Sequence, residues 1–227
     1  QNRYDAVVVG GGMVGAAAAL GLAQAGWSVA LLEHQAPQAF EAQSPPDLRI
    51  SAIGCTSVGL LKQLGTWQAV TAMRTAPYRR LETWEWASSR VAFDAVSLGL
   101  PELGFMVENR ILQLGLWQQF AQCANLTLLC PARLQSLQRA DNAWQLTLDS
   151  GETLQARLVV GADGANSQVR KLAAIGLGAV DVADRGVGVG AHTARVEHRR
   201  VAVAAPVEQP GDAEAVLAGQ ALAQLLE

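Results

Sequence analysis

The chain has 227 residues, 50% of them hydrophobic and 16% charged, so it can bury a sizeable core without metal or disulfide staples. A net charge of −3 gives no electrostatic reason to expect nucleic acid as a partner. Cys55, Cys123 and Cys130 have no metal-ligand spacing, no leader pattern precedes the first apolar run, and no run is long enough to span a bilayer; a soluble cytoplasmic protein without a metal site is expected.

Ala6-Val7-Val8-Val9 is an uninterrupted apolar run, the pattern of a strand covered on both faces in a parallel sheet. It leads into Gly10-Gly11-Gly12-Met13-Val14-Gly15 and then Ala16 to Ala25, which reads as helix, with Gly26 as its C-cap. Trp27 to Glu33 reads as the second strand. The glycines follow G-x-G-x-x-G, and the reason is steric. Gly10 permits a tight turn, Gly12 lets backbone approach a diphosphate, and Gly15 allows close helix–strand packing. The N–H groups at the helix start, with Met13 and Val14, favour phosphate charge. Glu33 stands where a carboxylate accepts hydrogen bonds from an adenosine ribose and repels a 2′-phosphate, so FAD or NAD is expected rather than NADP.

Further along, Ser44-Pro45-Pro46 is a loop, Asp47 to Ile53 follows it, and a helix runs from about Thr56 to Leu64. Arg80 to Trp86 alternates, and with Arg90 to Asp94 it reads as a β-hairpin half-buried on one face. Alternation places Trp84 and Trp86 on one face, where core packing is expected over walling a pocket for an aromatic ring. Asn109 to Cys123 reads as a helix with one broad apolar face, and Leu126 to Leu129 as the third sheet strand. Trp144 to Leu148 and Thr153 to Val160 form a hairpin around Asp149-Ser150-Gly151. Its second strand runs into Gly161-Ala162-Asp163-Gly164-Ala165-Asn166-Ser167-Gln168-Val169-Arg170. By physics alone, Asp163-Gly164 also fits an ordinary turn, with Asn166 or Ser167 capping a helix. His34, His192 and His198 are isolated, and no catalytic residue is assigned.

The strand followed by Gly161-Ala162-Asp163-Gly164 resembles the second fingerprint of the group A flavoprotein monooxygenases, the flavin-dependent aromatic-ring hydroxylases. Residues 10–15, 47–53, 77–86, 106–109 and 161–170 are together similar to the hydroxylases of ubiquinone biosynthesis, and the likeness covers about residues 4 to 176. It implies an α/β fold: a Rossmann-like FAD-binding domain over 1–75 and 102–176, with an inserted β-hairpin from a partial substrate sheet over 76–101. The resemblance also implies that Arg49, with Ser51 beside it, meets the flavin's phosphate and ribitol region, a task suited to a planar guanidinium. Either Asn109 or Arg110 would touch the flavin, and Asp163 and Gly164 would help to hold it.

The implied chemistry is that of the cofactor. NADH or NADPH reduces FAD, O2 adds to it as a C4a-hydroperoxide, and one oxygen passes to the ring of a polyprenylated benzoquinol. Such a substrate suggests peripheral association with the inner membrane or with a biosynthetic complex. Residues 177–227 depart from the family pattern and are expected to be disordered or a short helix over about 212–226. Two alternatives stand beside this reading: an NAD- or FAD-linked oxidoreductase sharing the Rossmann start, and an inactive FAD-binding fragment.

Overall fold

The computed structural model describes residues 2–86, 89–140 and 142–175, side chains 85, 86 and 89 excepted, and the backbone of 192–196 and 199–203. Strand β1 (Arg3–Val9) is followed by helix α1 (Met13–Gln24) and strand β2 (Val29–Leu32). The apolar run was expected to be covered on both faces, and Ala6 to Val9 are all buried. Side-chain alternation sends Ala6, Val8, Val29 and Leu31 into one core and Val7, Val9, Ala30 and Leu32 into another. Helix α1 is built from small residues, so it lies close on the sheet, and Gly26 ends it at φ +89°.

After a long loop come β3 (Ile50–Gly54), α2 (Cys55–Gln63), α3 (Trp67–Met73) and β4 (Ala76–Tyr78). The hairpin β5 (Arg80–Trp86) and β6 (Ser89–Asp94) precedes β7 (Gly104–Glu108), helix α4 (Asn109–Gln119) and β8 (Leu126–Leu129). Strands β9 (Leu134–Ala140), β10 (Ala143–Leu148) and β11 (Thr153–Gly161) and helix α5 (Gln168–Leu172) follow. Strands β12 (His192–Val196) and β13 (Arg199–Val203) complete the described elements.

The main sheet has the order β12-β13-β11-β1-β2-β8. Strands β13, β11, β1, β2 and β8 run parallel, as expected of a Rossmann-like unit, with β8 in the place read for Leu126 to Leu129. Helices α1 and α4 pack with α2 and α3 on one face; β9, β10 and α5 cover the other. The β10–β11 hairpin forms around residues 149–151 as read. Its partner β9 had no strand signal because Leu134 and Leu137 are three apart, a helical spacing. The register shows why both are buried: Leu137 pairs with Leu146 and Leu134 with Leu148, so Gln135 is an extra residue that restores Leu134 to the inner face.

One sequence expectation is corrected: the hairpin is not half-buried. Trp84, Val91 and Phe93 are at least half exposed, and Trp84 lies beneath the Arg90 guanidinium instead of in a core. The backbone register shifts between Trp84, paired with Arg90, and Trp86, paired with Ser89. The Trp86 side chain, and with it the expectation that both tryptophans share one face, lies outside the described residues. The hairpin is a sheet of its own, whereas β4 joins β3 and β7 in a separate sheet of order β3-β7-β4. The expected insertion at 76–101 thus divides β4 from partners that lie in the segments read as FAD-binding. Strands β12 and β13 lie in the tail read as departing from the family pattern, and β13 extends the parallel sheet beside β11. The expected helix over 212–226 lies outside the described residues.

Leu146 is fully buried between β9 and β11. Leu146→Ala is expected to cost about 2–5 kcal/mol by urea unfolding; a loss below about 1 kcal/mol would show that this back layer is not packed as described.

Candidate cofactor site

Strands β1, β2 and β11 end in register, with Val9 opposite both Leu32 and Gly161. Their carboxyl ends therefore deliver Gly10, Glu33 and Asp163 to one edge of the sheet. Gly10 lies at φ +101°, and a Cβ there would stand 2.3 Å from the Ala162 carbonyl oxygen and 2.9 Å from the Asp163 nitrogen. A Cβ on Gly15 would stand 1.8 Å from the Gly10 oxygen and 3.0 Å from the Ala162 Cβ. The two glycine motifs, some 150 residues apart, are thus pressed together through positions where no side chain fits. Gly12 differs: its Cβ would meet nothing within 4 Å. It is the N-cap of α1 without a side-chain cap, and the N–H groups of Gly12, Met13, Val14 and Gly15 donate to no acceptor among the described residues. Those four donors and the helix dipole suit an anion.

Glu33 is 7% exposed. Its Oε2 accepts the Gly11 N–H at 2.6 Å, and Oε1 accepts the Gln35 N–H at 3.0 Å and meets His34 Nδ1 at 2.6 Å. A carboxylate has about four acceptor directions, so one on Oε2 is left for a ribose hydroxyl. Cys130 stands just beyond β8, and burial first, then the Glu33 charge, raises its thiol pKa.

Asp163 reaches this edge through its main chain, while its carboxylate turns away. Oδ1 accepts the Ser167 hydroxyl at 2.5 Å, and Oδ2 accepts the N–H groups of Gln168 at 2.6 Å and Val169 at 3.1 Å. Ser167 is the N-cap of α5, accepting the Arg170 N–H at 3.1 Å. The helix-cap alternative read from the sequence is what these side chains do. Gly164, at φ +86°, makes the turn between.

Arg49, Ser51, Asn109 and Arg110 gather at a second place, around the start of β3 and the start of α4. Ser51 Oγ donates to Asn109 Oδ1 at 2.6 Å, and the Asn109 N–H donates to the Arg49 carbonyl at 3.0 Å. The exposed Arg49 side chain makes no hydrogen bond among the described residues. Arg110 is engaged, donating Nε and Nη2 to Asp47 at 2.8 and 3.1 Å and Nη1 to the Ala39 carbonyl at 2.9 Å. The Asp47 hydrogen bond raises its pKa further, against the effect of burial. Arg74 forms the other half of this clasp: it pairs with the buried Glu108 at 3.0 Å and donates to the Ser44 carbonyl at 2.8 Å. Glu108 in turn accepts the Asp47 N–H at 2.9 Å. The loop before Arg49 is therefore fixed at both ends.

Arg74, Asp47 and Glu108 were missed because nothing local marks ion pairs between residues 34 to 63 apart. Gln113 and Trp117 were missed for the same reason, although their four-residue spacing after Asn109 places all three on one helix face. Taken together, the open Gly12 edge, the unpaired N–H groups and the buried Glu33 fit a dinucleotide with diphosphate at the glycine loop and ribose at the carboxylate. Glu33→Gln keeps the shape but removes the charge, and FAD affinity measured by flavin fluorescence titration is expected to fall about tenfold or more; unchanged affinity would remove Glu33 from the site.

Residues 3–220 match the family model described as FAD binding domain. The chain is 56% identical over 173 residues to 3-demethoxyubiquinol 3-hydroxylase of Escherichia coli, covering 76% of this chain and 44% of that protein. It is 36% identical over 196 residues to ubiquinone hydroxylase UbiL of Rhodospirillum rubrum, covering 86% of this chain and 44% of the relative. The chain thus spans less than half the length of either. Among solved structures, PqsL of Pseudomonas aeruginosa in complex with 2-aminobenzoylacetate superposes with a TM-score of 0.61 at 23% identity, over 78% of this chain and 47% of PqsL, a likeness of fold. By its family model, the chain belongs to the FAD binding domain family.

Proposed function

We propose that this protein is an FAD-dependent monooxygenase that hydroxylates a polyprenylated benzoquinol in ubiquinone biosynthesis, with NADH or NADPH as electron donor and O2 as oxygen source. The observation that carries this reading is the 56% identity over 173 residues with the Escherichia coli hydroxylase. Overall, one oxygen atom replaces a ring hydrogen as a hydroxyl, and the other leaves as water with two electrons from the nicotinamide.

Bound FAD supplies the activation of O2. This chain's residues hold and orient it. The free N–H groups of Gly12 to Gly15 take the diphosphate, Glu33 takes the adenosine ribose, and the uncommitted Arg49 guanidinium takes phosphate or ribitol oxygens. Ser51 and Asn109 hold each other across the β3–α4 junction and so fix the backbone at Arg49. Arg110 acts one step back, holding the loop through Asp47. Asp163 serves through its main chain, which seats Gly10, and through its cap on α5. The outer face of the β3-β7-β4 sheet carries Ile50, Ala52 and Met106, an apolar surface beside Arg49 suited to a hydrophobic ring.

A polyprenyl tail confines such a substrate to lipid, so the protein works peripherally at the inner membrane from the cytoplasmic side. No described helix is long and apolar enough to cross a membrane. A second reading, FAD retention without hydroxylation, is favoured by the exposed Val91 and Phe93 on one face of the hairpin and Trp84 on the other, apolar side chains left in water.

Purified protein is expected to be yellow, with about one FAD per chain. Given NADH or NADPH, a demethoxyubiquinol analogue and isotopically labelled O2, it is expected to put label into the product, read by mass spectrometry. Flavin with oxygen consumption but no labelled product would favour the second reading. No flavin retained from excess would overturn both.

A further inference from the structure

Gly11 is the one loop glycine whose two peptide groups are both held by side chains. Its N–H donates to Glu33 Oε2 at 2.6 Å, and its carbonyl oxygen accepts Gln113 Nε2 and Trp117 Nε1, each at 2.8 Å. The two donors stand one turn apart on α4 and converge on a single oxygen, so both of its lone pairs are used. A Cβ on Gly11 would lie 3.1 Å from Trp117 Cζ2 and 2.9 Å from Glu33 Cβ. The indole therefore rests directly on the loop backbone.

A trans peptide is planar, with its C=O and the following N–H pointing in opposite directions. Fixing the Gly11 carbonyl toward α4 therefore fixes the Gly12 N–H away from it, toward the open edge at the start of α1. Gly10-Gly11-Gly12 is a run with no side chains to bias its peptide orientations, so an external restraint decides which way these N–H groups face. Ile111, Leu112 and Leu116 supply the buried core of α4, and the partly buried Trp117 ring packs against it beside Phe120, so a test of the clamp must keep that ring and delete only its N–H.

We propose that Gln113 and Trp117 are positioning residues that pre-set the glycine loop for the diphosphate of a dinucleotide by clamping the Gly11 carbonyl. The proposal rests on the cofactor reading above. The clamp orders the loop before the ligand arrives, so its loss shows in affinity for a diphosphate and not in folding.

The test uses Trp117→Phe, which keeps ring contact and deletes the donor, and Gln113→Leu, which keeps the stem. Dissociation constants for FAD and ADP are measured by calorimetry, adenosine binding by ligand-observed NMR, and stability by thermal melting. FAD and ADP are expected to weaken about five- to tenfold in each variant, with adenosine affinity and the melting temperature near the wild-type values. Hydrogen exchange over residues 10–15 is expected to rise while that of the rest of α1 holds. Variants binding FAD and ADP within about twofold of wild type would overturn the clamp. So would equal losses for ADP and adenosine accompanied by a lower melting temperature, which mark a general structural role. A wild-type protein that binds neither FAD nor ADP would instead overturn the cofactor reading itself.

Discussion

Close approach of Gly10 to Ala162 is the contact on which the site depends. The Ala162 N–H donates to the Val9 carbonyl at 2.8 Å and the Gly10 N–H to the Leu32 carbonyl at 2.8 Å, so the parallel ladders continue one residue past each strand. At that point a single methyl group on residue 10 would collide with backbone. The absence of side chains at Gly10 and Gly15 lets the loop fold back over the strand ends, leaving the N–H groups at the start of α1 facing outward. Everything placed at the carboxyl edge, including Glu33 and the main chain of Asp163, follows from three parallel strands ending in one layer.

Helix α4 ties this edge to the second cluster of polar residues. Asn109, Gln113 and Trp117 recur every four residues, so over about 12 Å one helix face touches β3 at one end and the glycine loop at the other. Two arginines on either side of the loop before Arg49 act as anchors. Arg74 and Arg110 each join a carboxylate to a backbone carbonyl, arrangements that suit the planar fork of guanidinium better than the point charge of lysine. They leave Arg49 as the cation without a hydrogen-bonded partner in this cluster among the described residues.

The β5–β6 hairpin contrasts with this order. Its apolar residues face solvent, and a ladder of two strands has little of its own to stabilise it. Arg90 over the Trp84 ring, and the Glu82 ion pairs with Arg80 and Arg90, are exposed contacts of small worth. The chain spans less than half the length of its relatives, so the hairpin's packing in those proteins is a separate matter.

By itself the sequence determined the parallel core, the glycine loop, Glu33 and the hairpins. Each is written in a local pattern, whether an apolar run, a fixed glycine spacing or an alternation bounded by turn residues. Tertiary structure alone decided what Asp163, Arg110, Gln113 and Trp117 do, since a polar side chain's partner is chosen by what the fold brings within about 3 Å, and sequence spacing carries no record of it. It also decided where alternation breaks, because an extra residue at Gln135 or Glu85 is visible only against the paired strand. Asp163 marks the boundary most clearly: its motif could be read from the chain, but the helix that takes up its carboxylate could not be chosen over a ligand until both were placed.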